Sequence, residues 1–177
     1  MFWMVLTGLM MQGCSYMRHV KRLEEPEKEH WYALKVFMKE DQRKEYLTKK
    51  TRAERDEYLK GLELWDKFYE LSERRRKAIL DYDVAVGWNQ EELLMSWGKP
   101  HKTGMEPTNK APRASRWTYT FEVHLDKKTK KEYRIIWEPN SKTEYKSIRT
   151  YDCDVIIQDY GRPEWTDNVI SDIIIKD

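Results

Sequence analysis

The run Gly87-Trp88-Asn89-Gln90-Glu91-Glu92-Leu93-Leu94-Met95-Ser96-Trp97-Gly98-Lys99-Pro100, followed after a loop by Arg116-Trp117-Thr118-Tyr119-Thr120-Phe121-Glu122-Val123-His124, decides the fold class. Gly87 supplies a permissive backbone, Asn89 can cap, and Gln90-Glu91-Glu92 bring acceptors and negative charge to a helix's first turn. Leu93, Leu94 and Trp97 bury one side of that helix. Gly98 falls where a left-handed C-terminal residue is wanted, and Pro100 blocks continuation. From Arg116 the hydrophobic period changes to two, which predicts a strand with Trp117, Tyr119, Phe121 and Val123 on an apolar face and Thr118, Thr120, Glu122 and His124 on a polar one.

C-terminal to this, Asp126-Lys127-Lys128-Thr129-Lys130 reads as a polar turn, and Glu132 to Glu138 as the second arm of a hairpin. Tyr145 to Tyr151 and Asp154 to Gln158 offer further strand material, and the isoleucine-rich Val169 to Ile175 reads as another strand or a docked terminal segment. N-terminal to it the pattern is helical. Trp31, Leu34 and Met38 recur at helical spacing, with Phe37 alongside. Thr51-Arg52-Ala53-Glu54 matches a capping box that opens a helix whose apolar face runs Tyr58, Leu62, Trp65 and Tyr69. Ser72 is the next N-cap, for a helix to about Leu80. Helices followed by an antiparallel sheet make the α+β class.

The polar residues 15–30, interrupted by Pro26, suit a tether. The expected organisation is therefore a leader over 1–14, a tether over 15–30, a helical region over 31–80 and an α+β domain with a C-terminal extension over 81–177. The leader reading rests on Phe2 to Met11, an uncharged run of about ten residues, half the roughly 20 apolar residues that a membrane-spanning helix needs. It has the character of a signal-peptide core. Gly13-Cys14 follows, with Met11 three residues before the cysteine. This arrangement resembles a bacterial lipobox, which implies lipidation of Cys14 and an acyl anchor. Ser15, where inner-membrane retention signals place an Asp, favours the outer membrane.

The segment from about 84 to 137 resembles the SmpA/OmlA, or BamE-like, group of small outer-membrane assembly lipoproteins, in which a glycine opens a helix, a Gly-x-Pro turn ends it and a Trp-x-Tyr strand follows. The resemblance implies a BamE-like helix–turn unit ahead of a small antiparallel sheet. It also implies a non-enzymatic, lipid-anchored module on the periplasmic face of the outer membrane, with envelope or outer-membrane proteins as partners. About 55 residues of helical sequence and a C-terminal stretch extend beyond that pattern. Gly87-Trp88 also resembles the GWxTD-motif proteins, although Gln90 and Glu91 replace Thr and Asp. That second resemblance supports the alternative of a ligand- or glycan-binding envelope lipoprotein. A soluble intracellular protein with an unmodified Cys14 is a third reading. On the expectation that the turn and strand edge are accessible, the residues assigned to partner binding are Trp88, Lys99, His101, Arg116 and Tyr119.

Composition and motifs exclude much else. Lys and Arg number 33 against 31 Asp and Glu, a net charge of +2. Residues 1–80 carry 18 basic and 14 acidic groups, and the remainder 15 and 17. No charge excess marks a nucleic-acid binder. The 8 Trp, 11 Tyr and 4 Phe are ample core material. His19, His30, His101 and His124 fall in no metal-ligand spacing, no cofactor is expected, and only seven glycines leave no phosphate loop. Mixed charges over Arg43 to Lys50 read as a solvated helix face, and Arg74-Arg75-Arg76-Lys77 is the one basic cluster. Cys153, between Asp152 and Asp154, is a poor nucleophile; it is either an inert buried thiol or the partner of Cys14 in a disulfide. Asp81 with Asp83, and Asp152 with Asp154, read as structural carboxylates rather than an acid–base pair.

Overall fold

A computed structural model describes residues 18–126, 128–136, 149–159 and 168–176. The chain divides into two compact units, Met1–Leu80 and Asp81–Asp177. Each is described by itself.

The first unit is helical: α1 (Glu25–Leu34), α2 (Glu40–Thr48), α3 (Arg52–Gly61), α4 (Trp65–Tyr69) and α5 (Glu73–Leu80). Its buried apolar side chains include Trp31, Leu34, Tyr46, Leu59, Phe68 and Ile79, with the Trp31 and Tyr46 rings stacked at 5.5 Å. Thr51 caps α3 as its spacing predicts, accepting from the Glu54 N–H at 3.2 Å while Glu54 accepts from the Thr51 N–H. Ser72 likewise accepts from the Arg75 N–H ahead of α5.

Two expectations are corrected here. Residues 25–30, expected to belong to a tether, are helical, because α1 starts at Glu25. Pro26 stands in its first turn, where a backbone N–H has no helical acceptor, so the ring costs nothing. The helix opened by Thr51 does not run to Tyr69. It ends at Gly61 in a Schellman motif: Glu63 takes φ +57°, its N–H bonds the Lys60 carbonyl, and the Leu64 N–H reaches back to Leu59. Leu59 and Leu64, the two positions whose apolar side chains commonly accompany this cap, are both buried.

The second unit carries α6 (Gln90–Trp97) and strands β1 (Lys102–Met105), β2 (Ser115–Leu125), β3 (Glu132–Ile136), β4 (Arg149–Gln158) and β5 (Val169–Lys176). All pairings are antiparallel, in the order β1-β2-β4-β5, with β3 also on β2. β1 lies against Ser115–Thr118 and β3 against Phe121–Leu125, so the two share one side of β2. This is the mixed helix and antiparallel-sheet architecture of the α+β class.

α6 begins as expected, with Asn89 accepting from the Glu92 N–H and Glu92 from the Asn89 N–H. Gly87 and Gly98 hold φ +88° and +74°; a Cβ at either would meet nothing within 4 Å, so backbone angle alone demands glycine there. The apolar face of β2 packs under α6: Trp97 stands edge-on to Tyr119 at 5.2 Å and to Phe121 at 5.0 Å. The Tyr119 hydroxyl donates to the Gly98 carbonyl, tying the helix end to the strand.

The hairpin turn is held by Asp126, whose carboxylate accepts from the Lys128 and Thr129 N–H groups. β1, which has no periodic signal, was not expected. The strand material at 149–151 and 154–158 forms one continuous strand, Arg149–Gln158, and residues 145–148 lie outside the described residues. The same holds for the far end of the second hairpin arm, residues 137 and 138.

Candidate functional site

The register sorts the assigned residues onto two sides of the sheet. Opposed residues of an antiparallel pair share a face, and Tyr119 opposes Cys153 while Thr118 opposes Asp154 and Thr120 opposes Asp152. Tyr119 therefore belongs to the helix-covered face, 1% exposed. Trp88 is 6% exposed, because the backbone around it pairs with the start of β5: Gly87 N–H donates to the Ile170 carbonyl and Ile170 N–H to the Trp88 carbonyl, each at 2.8 Å. The accessibility expected of Trp88 and Tyr119 is thus corrected: both are core. Burial pushes the Tyr119 phenol well above its ordinary range, so it stays neutral.

Lys99 and His101 are exposed, and His101 and Arg116 come together on the opposite, polar face. There two cross-strand pairs dominate. Thr118 donates to Asp154 Oδ1 and Thr120 to Asp152 Oδ1, each at 2.7 Å. The other Asp154 oxygen faces Lys176 Nζ at 2.5 Å and Arg116 at 3.4 Å, and Arg116 also pairs with Glu106 at 2.8 Å. Asp154 is 1% exposed while the two cations and Glu106 keep their heads partly in water. Burial alone would raise its pKa, but the bonds from Lys176 and Thr118 and the charges of Lys176 and Arg116 outweigh burial and hold the carboxyl below the usual range.

His101 stacks one more link on this face. Its Nδ1 lies 3.0 Å from the Thr120 hydroxyl, whose proton is committed to Asp152. The hydroxyl therefore accepts from the ring Nδ1–H, and one threonine links the exposed imidazole to the Asp152 carboxylate. Next along β2, His124 is buried and its Nε2 pairs with Glu122 at 2.9 Å. The arrangement is a fixed pattern of surface charge over a neutralised buried carboxylate.

Sequence reasoning missed Glu106, Thr118, Thr120 and Lys176 as parts of one site. The available signal was the matched spacing of Thr118 with Thr120 and of Asp152 with Asp154, two hydroxyls and two carboxylates each two residues apart. Elsewhere, Cys153 is a buried free thiol raised to about 11 by burial, with Asp154 adding to it. Cys14 lies outside the described residues. Among the described residues, no group of three or more His, Cys, Asp or Glu is placed to hold a metal ion, and every Trp is buried or half-buried.

Comparison with known protein families, with curated proteins and with solved structures found no match to this chain.

Proposed function

We propose that this protein is a lipid-anchored, non-enzymatic envelope module, tethered through Cys14 to the periplasmic face of the outer membrane, whose sheet domain docks an envelope protein in outer-membrane assembly or maintenance. The observation that carries the docking half is the polar sheet face. Arg116 is fixed by carboxylates on both sides, and Glu106 and Lys176 flank it at the surface, so charges of both signs are preorganised without a partner. A pattern fixed in advance gives register and specificity to a protein contact at small entropic cost. Lys99 and His101 are exposed, and His101 meets that pattern through Thr120, so a partner can reach both. The anchor half rests on the apolar run Phe2 to Met11 ahead of Gly13-Cys14.

Two measurements test the reading in the native host. Intact mass and fractionation should give a chain cleaved before Cys14, carrying a lipid adduct in the membrane fraction; a full-length unmodified soluble chain overturns the anchor. Crosslinking should capture an envelope protein, and Lys99→Glu combined with His101→Ala should lower that capture at least about tenfold with the fold unchanged by circular dichroism. Undiminished capture by that variant removes the polar face as the docking surface.

A further inference from the structure

We infer that two copies of this chain pair through β5, antiparallel, about a twofold axis at Ile174. β5 is the last strand of the sheet order, and among the described residues only the segment around Trp88 pairs with its outer side. That segment stops at Ile170: Gly87, Trp88 and Gln90 bond to Ile170 and Asn168. The register with β4 then shifts between Ile156 and Ile157, opposite Ser171, and beyond that irregularity residues 172–176 run along the edge. Ile174 and Ile175 are 44% and 61% exposed on opposite faces. An apolar edge of this kind is a template for another strand.

The sequence of the open stretch, Asp172-Ile173-Ile174-Ile175-Lys176, selects its own second copy. Antiparallel pairing centred on Ile174 sets Asp172 opposite the other copy's Lys176, twice, and Ile173 opposite Ile175, twice. Opposed residues share a face. Two ion pairs therefore flank the central isoleucines on the polar face, and four isoleucines extend the apolar layer that Val155 and Cys153 begin on the other. A register centred on Ile173 instead sets Asp172 against Ile174, and one centred between Ile173 and Ile174 sets Asp172 against Ile175. Both leave Asp172 opposite an isoleucine, and put Lys176 opposite Ile170 or Ser171 in place of an acid. Asp and Lys on an edge ordinarily guard it against pairing; here their spacing rejects other strands and admits this one. Lys176, already bound to Asp154 at 2.5 Å, would sit between that carboxylate and Asp172 of the second copy. Such a dimer joins two five-stranded sheets into one and presents the polar faces of both copies on the same side.

The test is cysteine trapping in the full chain with Cys14→Ser. Across an antiparallel pair, opposed Cβ atoms lie about 4.5–5.5 Å apart, near disulfide reach. Ile174→Cys should therefore crosslink to itself under mild oxidation. Asp172→Cys, as exposed but about 13 Å from its mate in this register, should not. Mixing Asp172→Cys with Lys176→Cys should give the heterologous crosslink. Light scattering of the otherwise unaltered chain should give twice the 21.6 kDa chain mass, and Ile174→Lys, which opposes two ammonium groups on the axis, should raise the dissociation constant at least about tenfold. Equal trapping at positions 172 and 174 overturns the register. A monomeric chain, or a dimer indifferent to Ile174→Lys, overturns the interface. Neither result bears on partner capture at Lys99 and His101, so the two proposals fail separately.

Discussion

His30 Nδ1 faces Asp56 Oδ1 across 3.8 Å inside the helical unit, and among the described residues neither atom has a hydrogen-bond partner. The ring is wholly buried between the Trp65, Phe68 and Tyr69 rings, and its Nε2 is engaged by the Tyr69 hydroxyl. Beside it the buried Glu27 carboxylate is held by Arg55 at 2.6 Å, and Arg52 approaches Asp56 at 3.6 Å. The imidazole is thus a neutral group placed among charges that have already found one another.

Acidification should destabilise the helical unit through His30. Burial, with Arg52 adding to it and Glu27 opposing, lowers the His30 pKa from 6.5 to about 4. Between those values the unfolded chain binds a proton that the folded one refuses, so stability falls as pH drops from 6.5 and the loss is complete below about 4. The full effect is about 3 kcal/mol at 1.36 kcal/mol per pKa unit. Urea unfolding at pH 7 and pH 4.5 should show this loss in the unaltered chain, while His30→Gln should show a much flatter dependence. Equal pH slopes in the two proteins would refute the assignment. Comparing the two also cancels Asp56, whose own pKa burial raises, in the opposite sense.

Glu63→Gly should stabilise the chain. Glu63 holds φ +57° at the Schellman turn that separates α3 from α4, and its side chain is exposed. A left-handed conformation costs an L-residue roughly 1–2 kcal/mol, part of which glycine returns as extra freedom of the unfolded chain. The expected net gain is about 0.5–1 kcal/mol, read as a higher thermal midpoint. A lower midpoint would mean that the Glu63 carboxylate carries an interaction worth more than the strain.

What was legible in the sequence was local. The caps at Thr51, Ser72 and Asn89 and the stop at Gly98 each need only a few neighbouring residues and are where their spacing puts them, and β2 is a strand as its alternation predicts, although Thr118 and His124 on its polar side are buried. Trp88 misled because its neighbours are turn formers. Its burial comes from pairing with Ile170, a contact between distant segments that no local period encodes. Asp152 and Asp154 read as structural carboxylates, but their pairing with Thr120 and Thr118 on the adjacent strand is again contact between distant segments that no local period encodes. β1 has no alternation because all four of its residues are exposed.

Tyr119→Phe separates stability from docking. Loss of the hydroxyl bond to the Gly98 carbonyl should cost about 1 kcal/mol, the usual net value of such a bond. Crosslinking of a partner should be unchanged below the thermal midpoint, because the ring lies under α6 and reaches no surface. If capture falls in a variant whose circular dichroism and midpoint stay near those of the unaltered chain, docking involves the helix–strand seam and not the polar face.

Asp154→Asn should be the most damaging single change on the polar face. The carboxylate is buried, yet its pKa is held down because Lys176, Thr118 and Arg116 together outweigh desolvation. A depressed folded value means stability that is present above the unfolded value near 3.8 and is lost as pH falls through the folded one. The amide removes the charge that Lys176 and Arg116 share, while Arg116 keeps its pair with Glu106. Breaking a buried pair costs about 3–5 kcal/mol when the remaining charge is trapped. Here both cations reach water, so the expected cost at pH 7 is about 2–3 kcal/mol, against about 1 kcal/mol for Thr118→Val, which keeps the charges and deletes one bond. Urea unfolding of both variants at pH 7 and again near pH 3 distinguishes the causes. The Asp154→Asn deficit should shrink toward pH 3, as the unfolded chain's carboxylate takes up a proton that the folded one refuses, whereas a deficit independent of pH would assign the loss to packing of the side chain and not to its charge.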